Sequence, residues 1–122
     1  MAKTIMSVED NKDTREVIKL ILEKEGYKVI EAASGKECLT KLKKKTPDLI
    51  LMDIMMPGMS GWDTVTAIKK NKKWDKIKIC FLSVVEVSEE RKKALKDSGV
   101  QGYLMKPFTK EQLVKEVKKL VG

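Results

Sequence analysis

The sequence predicts an α/β fold: a doubly wound, open parallel sheet of five strands in (βα)5 order, with helices on both faces. Short apolar runs alternate five times with segments of helical periodicity, which is typical of a parallel sheet built from strand–helix units. The third run, Leu49 to Met52, is apolar throughout, as expected of a central strand covered on both faces. Five units are too few for an eight-stranded barrel, so an open sheet is favoured.

The strands are predicted from apolar runs bounded by turn residues or charges. Their predicted extents are 3–8, 27–32, 48–53, 76–83 and 102–106. The segment "PGMSG" after the third strand has the composition of a turn, which indicates that this strand ends at Asp53.

The helices are predicted from core-facing periodicity and from start and stop signals. Capping-box spacing occurs at Ser34 with Glu37 and at Thr109 with Gln112, and Gly26 follows the last turn of the first helix. The predicted extents are 13–25, 34–45, 61–71, 88–98 and 109–121. The residues expected to face the core are Val17, Ile18, Ile21 and Leu22; Cys38, Leu39 and Leu42; Trp62, Val65 and Ile68; and Leu113, Val117 and Leu120.

Length and composition limit the possible functions. The 122 residues predict a single domain, 1–122, and neither a signal peptide nor a membrane span is recognisable, so we expect a cytoplasmic protein without membrane contact. The absence of histidine excludes Ser-His-Asp and Cys-His catalysis and most zinc sites. Cys38 and Cys80 lie in apolar patterns and are expected to be buried and reduced. The net charge is +8, but the lysines are spread along the chain without interleaved aromatics, so direct nucleic-acid binding is not expected.

Polar side chains that can bind ions or take part in a reaction follow four of the predicted strands. They are Glu9 and Asp10, Asp53, Ser83 and Lys106. Because ligands of open α/β sheets bind at the carboxyl ends of the strands, we expect these side chains to converge. Three acids with hard oxygen ligands suit Mg²⁺, for which Mn²⁺ can substitute, and Mg²⁺ readily shares phosphate oxygens. Ser83 and Lys106 can bind a phosphate, and carboxylates are known phosphoryl acceptors.

The four motifs that carry these residues resemble the receiver domains of two-component response regulators, which have the flavodoxin-like, CheY-like fold. The motifs are "VEDN", "LILMDIMMPGMSG", "FLS" and "GYLMKPF". Their spacings also fit, with 43 residues from Asp10 to Asp53, 30 from Asp53 to Ser83 and 23 from Ser83 to Lys106. The resemblance covers the entire chain.

The resemblance implies a role for each site residue. Asp53 would accept a phosphoryl group from a phosphohistidine on a sensor kinase or phosphotransfer protein. Asp10, Asp53 and the backbone carbonyl of Met55 would bind Mg²⁺, with Glu9 assisting through a water molecule. Lys106, joined to Pro107 by a cis peptide bond, would contact the phosphoryl group. The protein would assist its own phosphorylation and dephosphorylation, and would not be an enzyme acting on a separate substrate.

The resemblance also implies a conformational switch. Ser83 would move toward the phosphoryl oxygens, and Tyr103 would turn inward into the vacated space. The face formed by the fourth helix, fifth strand and fifth helix would then signal to a downstream protein. The basic residues expected on this face, which would suit an acidic partner, are Arg91, Lys92, Lys93, Lys96, Lys110 and Lys115.

Three apolar residues depart from the common family pattern or occupy positions that tune phosphoryl hydrolysis. Val84 stands where the family usually has Ala or Gly, and Met55 and Val85 are apolar at the tuning positions. We therefore predict that attacking water is poorly placed and that the phosphorylated form is long-lived.

Other functions fit the sequence less well. An aspartyl-phosphate phosphatase or phosphotransferase of the haloacid-dehalogenase type usually shows Asp-x-Asp, whereas Ile54 and Met55 follow Asp53. A flavodoxin-like flavin binder would need a Ser/Thr/Gly-rich loop after the first strand. A receiver used only as a non-phosphorylated interaction module would not need the complete set of acids, hydroxyl and lysine.

Overall fold

In a computed structural model, which describes residues 2–122, five strands and five helices alternate strictly along the chain. The strands are β1 (Thr4–Val8), β2 (Lys28–Ala32), β3 (Leu49–Asp53), β4 (Lys78–Ser83) and β5 (Gly102–Met105). The helices are α1 (Lys12–Lys24), α2 (Gly35–Leu42), α3 (Gly61–Lys70), α4 (Glu89–Asp97) and α5 (Lys110–Val121).

The strands form one parallel sheet in the order β2-β1-β3-β4-β5, which confirms the predicted doubly wound topology. The strand order reverses next to β1, so a crevice is expected beyond the carboxyl ends of β1 and β3. In the register, Val8 pairs with Met52, and Asp53 pairs with Leu82. Residues that follow β1, β3 and β4 are therefore neighbours at one edge of the sheet.

Two apolar cores, one on each face, hold the sheet between layers of helices. Helices α1 and α5 pack on one face through residues such as Ile18, Leu22 and Leu113. Helices α2, α3 and α4 cover the other face through residues such as Cys38, Ile68 and Leu95. Leu49 to Met52 in β3 are buried, as predicted from the unbroken apolar run, and Asp53 at the end of the strand is buried as well. None of the helices in residues 2–122 has both the length and the apolar character needed to cross a bilayer.

Two predicted core positions are wrong. Trp62 lies in the first turn of α3 and remains 48% exposed, although its ring makes an edge-on contact with the buried Phe81, with ring centroids 4.8 Å apart. Val17 is 53% exposed, because Ile18 and Leu22 set the buried face of α1. The strand ends also differ by one or two residues, and Lys106 lies just beyond β5 instead of at its last position.

Candidate functional site

Three carboxylates meet at the carboxyl edge of the sheet, around the ends of β1 and β3. Asp53 is the last residue of β3, and Glu9 and Asp10 directly follow β1. One carboxylate oxygen from each of the three lies within 4.8 Å of the others. Glu9 is 1% exposed and Asp53 6% exposed, whereas Asp10 is open to solvent. This arrangement of hard oxygen ligands fits a divalent cation such as Mg²⁺.

Lys106 enters the same cluster from the end of β5. Its Nζ lies 2.5 Å from Glu9 Oε1 and 3.6 Å from Asp53 Oδ1. The backbone N–H of Lys106 donates to the Ser83 carbonyl over 2.7 Å, and the Lys106–Pro107 peptide bond is cis, as expected. The direct ion pair with Glu9 is not apparent from sequence, because the two residues are 97 positions apart.

The pKa values of the two buried acids, Asp53 and Glu9, are shifted in opposite directions. Burial raises the pKa of Asp53 to about 7, and a hydrogen bond with the nearby Glu9 carboxylate, together with its charge, adds to the effect. Burial would also raise the pKa of Glu9, but hydrogen bonds with Lys106 and Asp53 outweigh it and lower the pKa below its ordinary value. Of the two acids, Asp53 therefore holds a proton to the higher pH, and a bound cation would displace this proton.

Arg15 fixes the loop that carries the first two acids. Its guanidinium donates to the Glu9 carbonyl over 2.8 Å and pairs with Glu31 at the end of β2 over 3.2 Å. Asn11 caps α1 and donates its backbone N–H to Glu9 Oε2 over 3.2 Å. Sequence analysis missed Arg15, although an arginine in the first turn of a helix next to an acidic loop is an available signal.

Gly61 was also missed as a site residue. A Cβ at this position would lie 2.6 Å from the Asp53 carbonyl oxygen and 2.8 Å from the Ile54 Cα. Its N–H donates to the Ile54 carbonyl over 2.9 Å, so α3 begins directly against the backbone of the acidic site. Only glycine allows this approach.

Ser83 and Tyr103 are both bonded to the backbone of Val85. The Ser83 Oγ accepts a hydrogen bond from the Val85 N–H over 3.2 Å, and the Tyr103 hydroxyl donates to the Val85 carbonyl. Ser83 is buried at the end of β4, whereas Tyr103 is half-buried. The two predicted switch residues thus hold one loop, between β4 and α4.

The remaining predicted positions surround this site. The Met55 side chain is largely exposed, and its N–H donates to Asp53 Oδ1 over 3.3 Å. Val84 and Val85 are also exposed. The six basic residues expected on α4 and α5 are exposed, but segments 86–97 and 110–116 also contain six acidic residues. That face is therefore mixed in charge.

The topology defines a flavodoxin-like α/β domain, and its candidate site is the acidic cluster at the carboxyl ends of β1 and β3. Residues 5–118 match the family described as the response regulator receiver domain. The chain belongs to this family, which functions in two-component signalling, and the resemblance inferred from the four motifs is confirmed.

The chain is similar to proteins from several bacteria, in fold or in sequence. The chemotaxis response regulator CheY4 of Vibrio cholerae has 32% sequence identity and a TM-score of 0.90, covering 98% of this chain and 99% of that chain. The polar-differentiation response regulator DivK of Brucella ovis is 28% identical over 100% of this chain and 98% of its own length. The phosphate regulon transcriptional regulatory protein PhoB of Escherichia coli is 33% identical over 97% of this chain, which spans only 51% of PhoB.

Proposed function

We propose that this receiver domain accepts a phosphoryl group on Asp53 and thereby switches its interaction with a downstream protein. The observation that carries the proposal is the convergence of Glu9, Asp10 and Asp53 within 4.8 Å, with the Lys106 ammonium 3.6 Å from Asp53 Oδ1. Three acids at one strand edge place the acceptor among groups that bind a cation, and the lysine supplies positive charge for the incoming phosphate.

The residues available for Mg²⁺ are Asp10, Asp53 and the Met55 carbonyl, with Glu9 acting through water. The raised pKa of Asp53 supports this assignment, since the buried carboxylates repel each other until a cation or proton intervenes. Mg²⁺, or Mn²⁺ in its place, would neutralise charge on the phosphoryl oxygens during transfer.

The transfer needs little from the protein beyond positioning. A deprotonated Asp53 oxygen attacks the phosphorus of a phosphohistidine, and the new O–P bond forms as the P–N bond breaks. The electron pair remains on the imidazole nitrogen, which then takes up a proton. Lys106 exchanges its contact with Glu9 for one with a phosphoryl oxygen.

The added charge changes the conformation of the loop that contains Val85. If the Ser83 side chain rotates so that its hydroxyl donates to a phosphoryl oxygen, its Oγ moves away from the Val85 N–H and that hydrogen bond is lost. The loop between β4 and α4 is then free to move, and the hydroxyl of Tyr103 loses its acceptor at the Val85 carbonyl. Tyr103 turns inward, and the α4-β5-α5 face changes its shape for the partner.

Receiver domains act between sensor kinases and downstream effectors, and we propose the same place for residues 1–122 as one domain. The phosphoryl donor is a sensor kinase or a phosphotransfer protein in the cytoplasm. The downstream partner that binds the α4-β5-α5 face is also a protein. We propose that the chain is not an enzyme toward other substrates, because its phosphoryl acceptor is its own side chain.

Intact-mass measurement with Mg²⁺ and a small phosphodonor tests this function. We expect the protein to gain one phosphoryl group, Asp53→Asn to gain none, and Asp63→Asn, an exposed aspartate in the first turn of α3, to behave as the parent does. Rapid turnover of the donor would instead indicate a phosphatase. No mass gain in the parent protein would indicate a non-phosphorylated interaction module.

A further inference from the structure

The charges of the protein are segregated between the two edges of the sheet. In the segments at the carboxyl edge (9–16, 31–37, 53–63, 83–91 and 105–111), acidic residues outnumber basic ones by twelve to six. In the segments at the opposite, amino edge (2–3, 23–28, 43–49, 69–78, 95–101 and 116–122), basic residues outnumber acidic ones by fifteen to six. The positive charge of the chain therefore resides largely at the edge that the phosphorylation site does not use.

Helix stabilisation accounts for only part of this excess. Lysines in the last turns of all five helices complement the helix dipoles. Between α3 and β4, however, Lys72, Lys73 and Lys76 lie beyond the helix and are exposed, and Lys43–Lys45 follow α2 in the same way. Within residues 2–122, none of these lysines forms an ion pair.

A pocket of about 320 Å³ opens beside two of these lysines, Lys73 and Lys76. Lys3, Lys73, Lys76 and Lys78 line it together with Asp48, while Pro47, Ile77, Leu120 and Val121 contribute apolar surface. Lys78 Nζ donates to the Leu120 carbonyl over 2.7 Å, and the Asp48 carboxylate accepts from the Thr4 N–H over 2.8 Å. Lys3, Lys73 and Lys76 are left as exposed ammonium groups around a partly apolar floor.

We propose that this amino-edge pocket docks an acidic segment of a partner protein that carries apolar side chains among its carboxylates. The free ammonium groups complement carboxylates, and the apolar floor accepts an aliphatic side chain between them. A nucleic acid is less well matched, because the amino-edge segments contain no arginine and the pocket has no aromatic lining for base stacking. Asp48 at the pocket would oppose a uniformly anionic lipid surface.

Fluorescence anisotropy with a labelled peptide of repeated Glu-Glu-Leu tests the proposal on the intact chain. We expect the double charge reversal Lys73→Glu with Lys76→Glu to weaken binding by at least about tenfold, and raised salt to weaken it further. Lys12→Glu with Lys36→Glu changes the net charge equally at exposed positions outside both the amino edge and the α4-β5-α5 face, and is expected to alter affinity less than about twofold. Circular dichroism verifies that both variants fold.

The probes separate the competing ligands. A Glu-Glu-Ser peptide of equal charge should bind more weakly than Glu-Glu-Leu, and duplex DNA and phosphatidylserine vesicles should bind more weakly than either. Equal effects of the two double variants, equal binding of the two peptides, or tighter binding of DNA or vesicles would overturn the proposal. Asp53→Asn should bind the peptide unchanged, so this test is independent of the proposed phosphorylation.

Discussion

The two edges of the sheet hold their charges in different ways. At the carboxyl edge, Glu9 and Asp53 are buried and face each other and Lys106. At the amino edge, Lys43–Lys45, Lys72, Lys73 and Lys76 extend into water. Burial shifts the pKa values of the few acids at the carboxyl edge. The many exposed lysines at the amino edge form a positively charged surface that is screened by salt.

Helix orientation links the two patterns. Every helix has an acidic residue in its first turn and a lysine in its last turn, which favours the helix dipole at both ends. Because each helix runs antiparallel to the strands, this preference alone distributes acids to the carboxyl edge and lysines to the amino edge. The specific features are the buried acid cluster and the unpaired loop lysines, and the following predictions address these.

Gly61→Ala should have the largest effect, because it places a methyl group against the backbone beside Asp53. The contacts at 2.6 and 2.8 Å are with main-chain atoms that cannot rotate away. We expect a loss of about 3 kcal/mol in the free energy of unfolding, measured by urea denaturation. Gly26→Ala is the control: its φ of 92° disfavours alanine, but no atom lies within 4 Å, so about 1 kcal/mol is expected. Equal losses would show that the close approach at Gly61 is unimportant.

Asp53→Asn should stabilise the protein at alkaline pH when divalent cations are chelated. The folded-state pKa of about 7 lies above the ordinary 3.8, so between these values the native state holds a proton that the unfolded chain has released. The parent therefore loses stability as pH rises through this window, and asparagine removes that loss. Since the Glu9 pKa is lowered, its contribution to stability is complete above its ordinary value of 4.5 and declines only below it, so it overlaps only the lowest part of this window.

We expect the gain from Asp53→Asn to be on the order of 1–2 kcal/mol at pH 8 and to vanish near pH 4. Denaturation at several pH values checks it, with Asp63→Asn as the control at an exposed position. A gain independent of pH would contradict the proposed cause, because it would not arise from ionisation of Asp53.

The fold was predictable from sequence because each buried strand lies between clear turn signals. Asp53, Glu9, Asp10, Ser83 and Lys106 were identifiable because parallel strands bring their carboxyl ends to one edge. Contacts that depend on side-chain packing were not predictable. The exposure of Trp62 and Val17 depends on which of several neighbouring apolar residues fills the available core volume.

The same limit applies to the site and to the charged surfaces. The Glu9–Lys106 ion pair and the contact of Arg15 with the Glu9 carbonyl do not follow from any characteristic spacing of residues in the sequence. The charge excess at the amino edge cannot be recognised from the linear sequence, because the lysines that converge there come from every part of the chain.

Arg15→Met should weaken Mg²⁺ binding although it leaves the proposed ligands themselves unchanged. It removes the hydrogen bond to the Glu9 carbonyl and the pair with Glu31, so the loop bearing Glu9 and Asp10 gains freedom. We expect about a tenfold loss in affinity by NMR titration with Mg²⁺. Lys19→Met is the matched control, because Lys19 pairs with Glu31 over 3.5 Å but does not bond the Glu9 carbonyl. Equal losses would indicate a general charge effect.

Met55→Asn should accelerate loss of the phosphoryl group by a few fold. The exposed Met55 side chain adjoins Asp53, and an amide in its place can orient an attacking water molecule. Decay of the phosphorylated mass after removal of the donor measures the rate, and Mg²⁺ affinity should be largely retained because the proposed ligand is a backbone carbonyl. Unchanged decay, or a parent as short-lived as fast-relaxing receivers, would contradict the predicted long lifetime.

Charge reversal at Lys73 and Lys76 should have the smallest effect on the carboxyl edge. A strand of five residues separates the edges by roughly 16 Å, about twice the screening length at physiological ionic strength. Mg²⁺ affinity and phosphorylation rate should therefore change by less than about 1.5-fold at physiological salt. A larger change that disappears in high salt would reveal long-range coupling between the edges. A larger change that persists in high salt would require a structural connection through the sheet, and the two edges could then no longer be treated as independent surfaces.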